Sequence, residues 1–147
     1  PDKTLYVTGH SLGGALATLC ALDAAAGTKF RHPVVYTFAA PRAGDPAFAK
    51  AYDGKIARSF RMHNEFDVVT HLPPLTLTLP KSGRTFYYKH IRHSEQLNFH
   101  NGSVSGNHII GSYYAELAQR DPLFARKLSD YNPGFCPGSS VPSPFAP

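Results

Sequence analysis

The first part of the chain passes from a short strand-like run through a glycine-rich turn into a long apolar helix pattern. Residues 4–8 combine β-branched and aromatic side chains, which favour a strand. Residues 15–26 are mostly alanine and leucine, which favour a helix that Gly27 ends. Because this helix is apolar on nearly every side, we expect it to be buried beneath a sheet. Its leucines are predicted to lie near one stripe: Leu12, Leu16, Leu19 and Leu22.

The same alternation of strand-like and helix-like patterns continues to residue 128. Strands are predicted over residues 34–39, 56–62, 75–79 and 85–91, the last two forming a hairpin. Helices are predicted over 45–52 and 108–128, the latter with a break at Asp121-Pro122. The run at 34–39 is continuously apolar, as in a buried parallel strand. The pattern therefore predicts an α/β fold in which helices flank a largely parallel sheet.

The end of the chain has a different composition from the rest. Residues 132–147 are rich in proline and glycine, so we expect an irregular tail, anchored at Phe135 and Cys136. Residues 1–131 are expected to form one domain, without internal repeats or a linker. Of the two cysteines, Cys20 is predicted to be a small core residue of the apolar helix.

Composition and charge exclude several classes of protein. The chain has 147 residues, of which 42% are hydrophobic, and a formal net charge of +5. This composition argues against disorder, and no run approaches the roughly 20 apolar residues that a membrane span needs. The basic residues are scattered, so we expect no nucleic-acid partner. Two cysteines cannot form a disulfide scaffold, and we expect no signal peptide in the chain as given.

The turn between the first strand and the first helix carries a motif with chemical meaning. Residues 9–13 read Gly-His-Ser-Leu-Gly, which is G-x-S-x-G in a strand-to-helix context. Such a turn projects the Ser11 hydroxyl above the carboxyl edge of the sheet. We expect Gly9 and Gly13, which lack Cβ atoms, to allow strand and helix to approach closely, with His10 part of the same elbow. The backbone N–H of Leu12, at a helix N-terminus, is expected to form half of an oxyanion hole.

A serine nucleophile needs a base that is oriented by a carboxylate, and in this arrangement the order along the chain is Ser, Asp, His. Asp67 lies after the predicted strand 56–62 and is the first candidate for the acid. The alternatives are Glu65 nearby and, farther away, Asp53 and Asp45.

Five histidines follow Asp67 and compete for the role of the base. We favour His108, which follows a flexible stretch over 102–107 and is predicted to begin a helix, and His100 is the second choice. His71 is too close to Asp67, beside a rigid proline turn. His90 and His93 lie on or just after a strand, and an H-x-x-H pair without a third ligand is weak evidence for a metal. We therefore expect no metal and no cofactor.

Four segments resemble the fungal class 3 lipases of the α/β-hydrolase fold. Residues 8–17 are similar to their nucleophile segment and 35–45 to the strand and loop that follow it. Residues 64–74 resemble the acid segment, in which the aspartate precedes Leu-Pro-Pro, and 107–114 resemble the base segment. Residues 87–95 correspond loosely to a further strand, from which no role is carried over to His90 or His93.

The resemblance implies a secreted carboxylic ester hydrolase with Ser11, Asp67 and His108 as the triad. It implies a triacylglycerol lipase first, acting on acylglycerol or other esters at a lipid–water interface, and a feruloyl esterase or phospholipase A1 as alternatives. A non-catalytic hydrolase-like module and a serine peptidase of the same fold also remain open. Some members of the family pair a C-terminal cysteine with one near the N-terminus. By this resemblance Cys136 would pair with a cysteine outside this chain, and an unpaired Cys136 is the alternative.

The family has a long segment before its nucleophile strand, and this chain has three residues there. We therefore expect residues 1–131 to be part of an α/β-hydrolase catalytic domain, with the N-terminal strands, the lid and the second oxyanion donor outside the chain. The missing N-terminal half is an expected partner. The first strand would be an exposed edge, through which the chain is expected to self-associate and remain inactive when isolated.

Overall fold

A computed structural model describes residues 3–132, which form a parallel sheet with helices around it. The strands are β1 (Tyr6–His10), β2 (Val34–Phe38), β3 (Arg58–Asn64), β4 (Thr76–Thr78), β5 (Thr85–Tyr87) and β6 (Ser94–Leu97). The helices are α1 (Leu12–Gly27), α2 (Pro46–Lys55), a 3₁₀ turn (Val68–His71), α3 (Val104–His108), α4 (Ile110–Arg120) and α5 (Pro122–Tyr131).

The main sheet runs β1-β2-β3-β6, and every neighbouring pair in it is parallel. α1 connects β1 to β2, and α2 connects β2 to β3, as parallel strands require a crossover. α2 begins where the Asp45 side chain accepts a hydrogen bond from the Phe48 N–H, with Pro46 in the first turn. The carboxyl ends of all four strands therefore lie at one edge of the sheet. The predictions of a parallel α/β sheet, of helix 45–52 and of the hairpin are confirmed.

The core lies on both faces of this sheet. On one face, Ala21 and Ala25 of α1 pack with Val35 of β2 and with Tyr52 and Ile56. On the other face, Tyr113 of α4 covers the carboxyl end of the sheet and packs with three further buried residues: Ala39, Met62 and Leu97. Tyr113 is fully buried, so α4 is held firmly against the end of β3.

The expectation that α1 is buried on nearly every side is wrong within the described chain. Its buried positions are small residues: Gly14, Ala15, Ala17, Thr18, Ala21 and Ala25. Leu12, Leu16 and Leu19 are 67%, 56% and 42% exposed. Small side chains let α1 lie close to β1 and β2, so these three leucines stay exposed, whereas Leu22 packs against the core cluster. Cys20 is on this outer side and is exposed with a free thiol, so its prediction as a core residue is also wrong.

Two further elements differ from the sequence predictions. β6 was predicted only loosely, through residues 87–95, yet it extends the sheet beside β3. His108 was predicted to begin a helix after a flexible stretch, but it ends the short helix α3, and α4 begins at Ile110. The physical reason is Ser103, whose hydroxyl accepts a hydrogen bond from the Gly106 N–H and starts α3 inside that stretch.

Several predictions concern the margins of the described chain. The Pro- and Gly-rich tail, with Phe135 and Cys136, lies outside the described residues except for Asn132. The helix break at Asp121-Pro122 is confirmed, because Asp121 caps α5. β1 is an edge strand of the described sheet, as expected. Over residues 3–132, none of the helices combines the length and the apolar character that crossing a bilayer requires.

Candidate active site

Ser11 occupies the tight turn between β1 and α1. Its backbone has φ 56° and ψ −129°, a left-handed conformation that non-glycine residues rarely adopt. Two hydrogen bonds hold the turn: the Ser11 N–H donates to Phe38 O at 2.9 Å, and the Gly14 N–H donates to Ser11 O at 2.9 Å. The strained conformation aims the side chain away from the sheet edge, as the G-x-S-x-G motif predicts.

The glycines around Ser11 differ in whether the structure leaves room for a Cβ atom. A Cβ on Gly9 would lie 2.1 Å from the Gly13 carbonyl oxygen, so Gly9 permits the close contact of strand and helix. A Cβ on Gly13 would meet nothing within 4 Å among the described residues, so the expectation that Gly13 does the same is wrong. Gly14 takes that role, because its Cβ would lie 2.7 Å from that of Ala40 in the loop after β2.

Three side chains from distant parts of the sequence meet above this turn. His108 Nε2 lies 2.8 Å from Ser11 Oγ. His108 Nδ1 lies 3.0 Å and 2.9 Å from the two carboxylate oxygens of Asp67. Since the carboxylate accepts, Nδ1 carries the proton and Nε2 is free to accept from the serine hydroxyl. The arrangement can remove a proton from Ser11 and stabilise the imidazolium that results.

Asp67 is held from several sides. It is fully buried and starts the 3₁₀ turn, where Oδ1 accepts from the Val69 N–H at 3.0 Å. The hydroxyl of Tyr113 donates to Oδ2 at 2.8 Å, and the Asn64 N–H donates to that hydroxyl at 2.9 Å. Burial raises the pKa of Tyr113 far above its ordinary value, so its proton stays available to the carboxylate.

The sequence patterns do not identify Tyr113 as a site residue. It falls within the segment 107–114 that resembles the family's base segment, but that resemblance predicts no hydrogen-bonding role for it. A signal was available in its position, five residues after His108 on an adjoining helix, where it can reach the same acid.

Two side chains outside the loop that carries Asp67, Arg42 and His90, donate hydrogen bonds to its main-chain carbonyls. The Arg42 guanidinium donates to the carbonyl of His71 and to that of Pro73, the latter at 2.7 Å. His90 Nε2 donates to Thr70 O at 2.7 Å. Burial, followed by the nearby Arg61 charge, lowers the pKa of His90 to about 4, so this histidine is uncharged near neutrality.

The rival acids all have other partners. Asp45 caps α2 by accepting from the Phe48 N–H, and Asp53 pairs with Arg92 at 3.1 Å. Glu65 is exposed and accepts from the Gln96 side chain at 3.4 Å. The structure brings none of the three to His108.

The rival bases also lie elsewhere. His100 is exposed and stacks edge-on against Phe66, with ring centroids 5.0 Å apart. His71 and His93 are exposed, and His90 binds the acid loop. His10 is different, because its Nε2 lies 2.6 Å from the main-chain carbonyl of His108.

Ser11 lies at the N-terminus of α1. Within the described chain, no side chain caps this terminus. The N–H groups of the first turn of a helix have no intrahelical acceptor, and Leu12 supplies the first of them. Among residues 3–132 no cluster of three or more metal-ligating side chains occurs.

The sequence profile of the family described as Lipase (class 3) matches residues 1–77, which is just over half of the chain. The chain belongs to the class 3 lipase family. The matched part of this class 3 lipase chain includes Ser11 and Asp67, and His108 lies beyond it.

Individual relatives support the same placement. The chain is 40% identical over 77 residues to the secreted mono- and diacylglycerol lipase A of Penicillium cyclopium, which covers 52% of this chain and 25% of that protein. It is 32% identical over 128 residues to phospholipase A1 EG1 of Oryza sativa. The matched region covers 82% of this chain and 29% of that protein. The structure of the Rhizomucor miehei triacylglyceride lipase superposes with a TM-score of 0.51 at 37% identity, over 63% of this chain and 33% of that one.

This class 3 lipase chain spans a third or less of the length of these relatives. Its parallel sheet with flanking helices is part of an α/β-hydrolase fold, as the resemblance implied.

Proposed function

We propose that this chain carries the catalytic centre of a carboxylic ester hydrolase that acts on acylglycerols, with Ser11, Asp67 and His108 as its triad. The observation that supports this proposal most directly is the continuous line of hydrogen bonds from Ser11 Oγ through the His108 imidazole to Asp67. Serine ester hydrolysis is the chemistry that such a line performs, and it needs no metal or cofactor.

In the first half of the reaction, Ser11 Oγ attacks the ester carbonyl carbon while its proton passes to His108 Nε2. The carbonyl oxygen becomes negatively charged, and the Leu12 N–H at the α1 N-terminus is proposed to donate a hydrogen bond to it. His108 then gives its proton to the leaving alcohol as the ester C–O bond breaks. Asp67 keeps the imidazole oriented and stabilises its positive charge throughout.

In the second half, water attacks the acyl-enzyme carbonyl and loses its proton to His108. The proton passes back to Ser11 Oγ as the bond to the acyl group breaks, which releases a carboxylic acid and restores the site.

Exposed apolar residues next to the triad members in sequence support an acyl substrate. The residues that directly follow the three triad members are exposed hydrophobics: Leu12 at 67%, Val68 at 49% and Ile109 at 49%, with Ile110 at 43% beside them. Exposed apolar groups that cluster around a site mark contact with an apolar ligand or a lipid surface. We therefore propose that the substrate lies at a lipid–water interface. We also propose that the protein is secreted, as the name of the Penicillium cyclopium relative says of that protein.

The test is labelling of the full-length protein with an organophosphonate, with the modified residue located by mass spectrometry. Ser11 should be labelled, and Ser11→Ala should abolish labelling and lower kcat on p-nitrophenyl esters by about 10⁴–10⁶. His108→Ala should lose nearly as much, and the double variant little more, because the triad acts as a unit. Ser129→Ala, an exposed serine on α5, is the control and should behave as wild type. A label on another serine, or full turnover by His108→Ala, contradicts the proposal.

A phospholipase A1 activity is the second candidate, because phospholipase A1 EG1 of Oryza sativa, which covers 82% of this chain, bears that name. Release of fatty acid from triacylglycerol emulsions and from phosphatidylcholine vesicles, measured side by side, separates the two. Faster release from the emulsions supports the acylglycerol assignment. A faster rate on the vesicles supports the second candidate, and turnover of peptides alone contradicts both.

A further inference from the structure

We propose that His10 is a positioning residue, which fixes the base over the nucleophile by donating a hydrogen bond to the main-chain carbonyl of His108. The proposal rests on the proposed function, in which Ser11 and His108 react together. His10 Nε2 lies 2.6 Å from this carbonyl, across 98 positions of sequence. A carbonyl oxygen only accepts, so His10 Nε2 must carry the proton, and the bond persists in either charge state of the ring.

His108 has little local support from its own helix. It ends α3, which comprises only Val104–His108, and Ile109 leaves the helix with φ −61° and ψ 145°. A helix of this length is not stable by itself, and the carbonyls of its last turn lack intrahelical partners. The position of the imidazole therefore depends on bonds from other elements. Asp67 holds the ring at Nδ1, and His10 holds the carbonyl of His108 itself. The side-chain amides of Asn64 and Asn101 hold the two preceding carbonyls, those of Asn107 and Gly106.

His10 and Ser11 are neighbours in sequence, and each binds a different part of His108. Ser11 Oγ meets the His108 side chain at 2.8 Å, and the His10 side chain meets the His108 main chain at 2.6 Å. The two bonds and the short chain between them close a small ring of fixed dimensions. Any movement of the α3–α4 junction away from the elbow must stretch the His10 bond.

The imidazole of His10 is itself packed in place. Its ring centroid is 4.9 Å from that of His108 at an interplanar angle of 42°, and 6.3 Å from that of Tyr113 at 72°. A ring that only filled space would show these contacts without the hydrogen bond. The hydrogen bond therefore predicts that His10 aligns the His108 imidazole with Ser11, in addition to its packing role.

Three substitutions in the full-length protein separate the hydrogen bond from the packing. His10→Phe keeps a planar ring but removes the donor, and His10→Asn keeps a donor that is too short to reach the carbonyl. His10→Gln places an amide N–H close to the position of Nε2 and should restore the bond. His100→Phe, at an exposed histidine that packs on Phe66, is the control.

We expect His10→Phe and His10→Asn to lower kcat about 10- to 100-fold with KM nearly unchanged, since displacing a catalytic group by about 1 Å costs up to about 100-fold. His10→Gln should stay within about threefold of wild type, as should His100→Phe. The rate of phosphonate labelling at Ser11 should follow kcat. Equal loss in all three His10 variants, in step with their melting temperatures, would show a packing role and overturn the proposal, as would wild-type kcat in both Phe and Asn variants.

The two hypotheses fail in different ways. If wild-type protein is not labelled at Ser11, the proposed function is wrong. If wild-type protein is labelled at Ser11 but His10→Phe and His10→Asn are labelled equally fast, the proposed function stands and the role of His10 is wrong.

Discussion

Replacing Tyr113 by phenylalanine tests whether the acid of the triad is held by a buried hydroxyl. Tyr113 is fully buried, donates to Asp67 Oδ2 at 2.8 Å and accepts from the Asn64 N–H at 2.9 Å. Tyr113→Phe removes both bonds while it keeps the ring in the cluster that includes Met62 and Leu97. The carboxylate loses one of its donors, and a buried N–H loses its acceptor.

The size of the effect follows from these two losses. A buried N–H left without an acceptor costs about 1–3 kcal/mol, and a hydrogen bond to a charged group contributes about 1.5–3 kcal/mol. Because the two losses are not additive, we expect Tyr113→Phe to lower the free energy of unfolding by about 2–4 kcal/mol. If the carboxylate also turns away from His108, a loss of about 1–2 kcal/mol in transition-state stabilisation lowers kcat about 5- to 30-fold.

The matched control is the other large buried tyrosine. Tyr52 is also fully buried, and its hydroxyl shares a hydrogen bond of 2.9 Å with Ser59 Oγ, in the core cluster on the opposite face of the sheet. Tyr52→Phe should reduce stability by about 1–2 kcal/mol and leave kcat unchanged. The assays are urea denaturation and p-nitrophenyl ester turnover. An equal fall in kcat for both variants, or a stability loss in Tyr113→Phe with unchanged kcat, would refute the reasoning.

Two further predictions concern the support of the site. Gly14→Ala should destabilise the fold by about 1–3 kcal/mol, because its Cβ would lie 2.7 Å from that of Ala40. Gly13→Ala should be neutral or stabilising, because its Cβ would meet nothing within 4 Å among the described residues. Equal midpoints of the two variants in urea denaturation would contradict this. His90 takes up a proton on unfolding between pH 6.5 and about 4, so the free energy of unfolding should fall by about 3 kcal/mol as pH drops through this window. His90→Gln should flatten this slope and His32→Gln, at an exposed position, should not, as pH-dependent urea titrations will show.

The elements nearest the nucleophile are those that the sequence predicts best. Strand, turn and helix around Ser11 follow from local composition and from glycine spacing, which act within a few residues. The order Ser, Asp, His along the chain limits the candidates for the acid and the base. It favours Asp67 and His108, the two residues that the structure brings to Ser11. Local composition and the order of residues along the chain can both be used for prediction without knowledge of the tertiary packing.

What the sequence did not predict depends on contacts between distant segments. An apolar helix can bury either its leucines or its alanines. In α1 the alanines are buried because the helix lies close to the sheet, and the sequence does not show how close two elements will lie. β6 is short and has the polar composition Ser-Glu-Gln-Leu, so its strand state comes from pairing with β3. The bond from Tyr113 to Asp67 requires α4 to cover the end of β3, which no local pattern reports.

The geometry of the site follows from the topology of the sheet. Ser11 follows β1, Asp67 follows β3, and His108 follows β6, so the parallel arrangement delivers all three to one edge. β2 lies between β1 and β3, and it contributes the Phe38 carbonyl that holds the Ser11 N–H. The final alignment is assigned to polar bonds, of which the buried bond from Tyr113 to Asp67 and the part-buried bond from His10 to His108 are the most direct. Substitutions at these two residues should therefore reduce kcat more than their cost in stability alone explains.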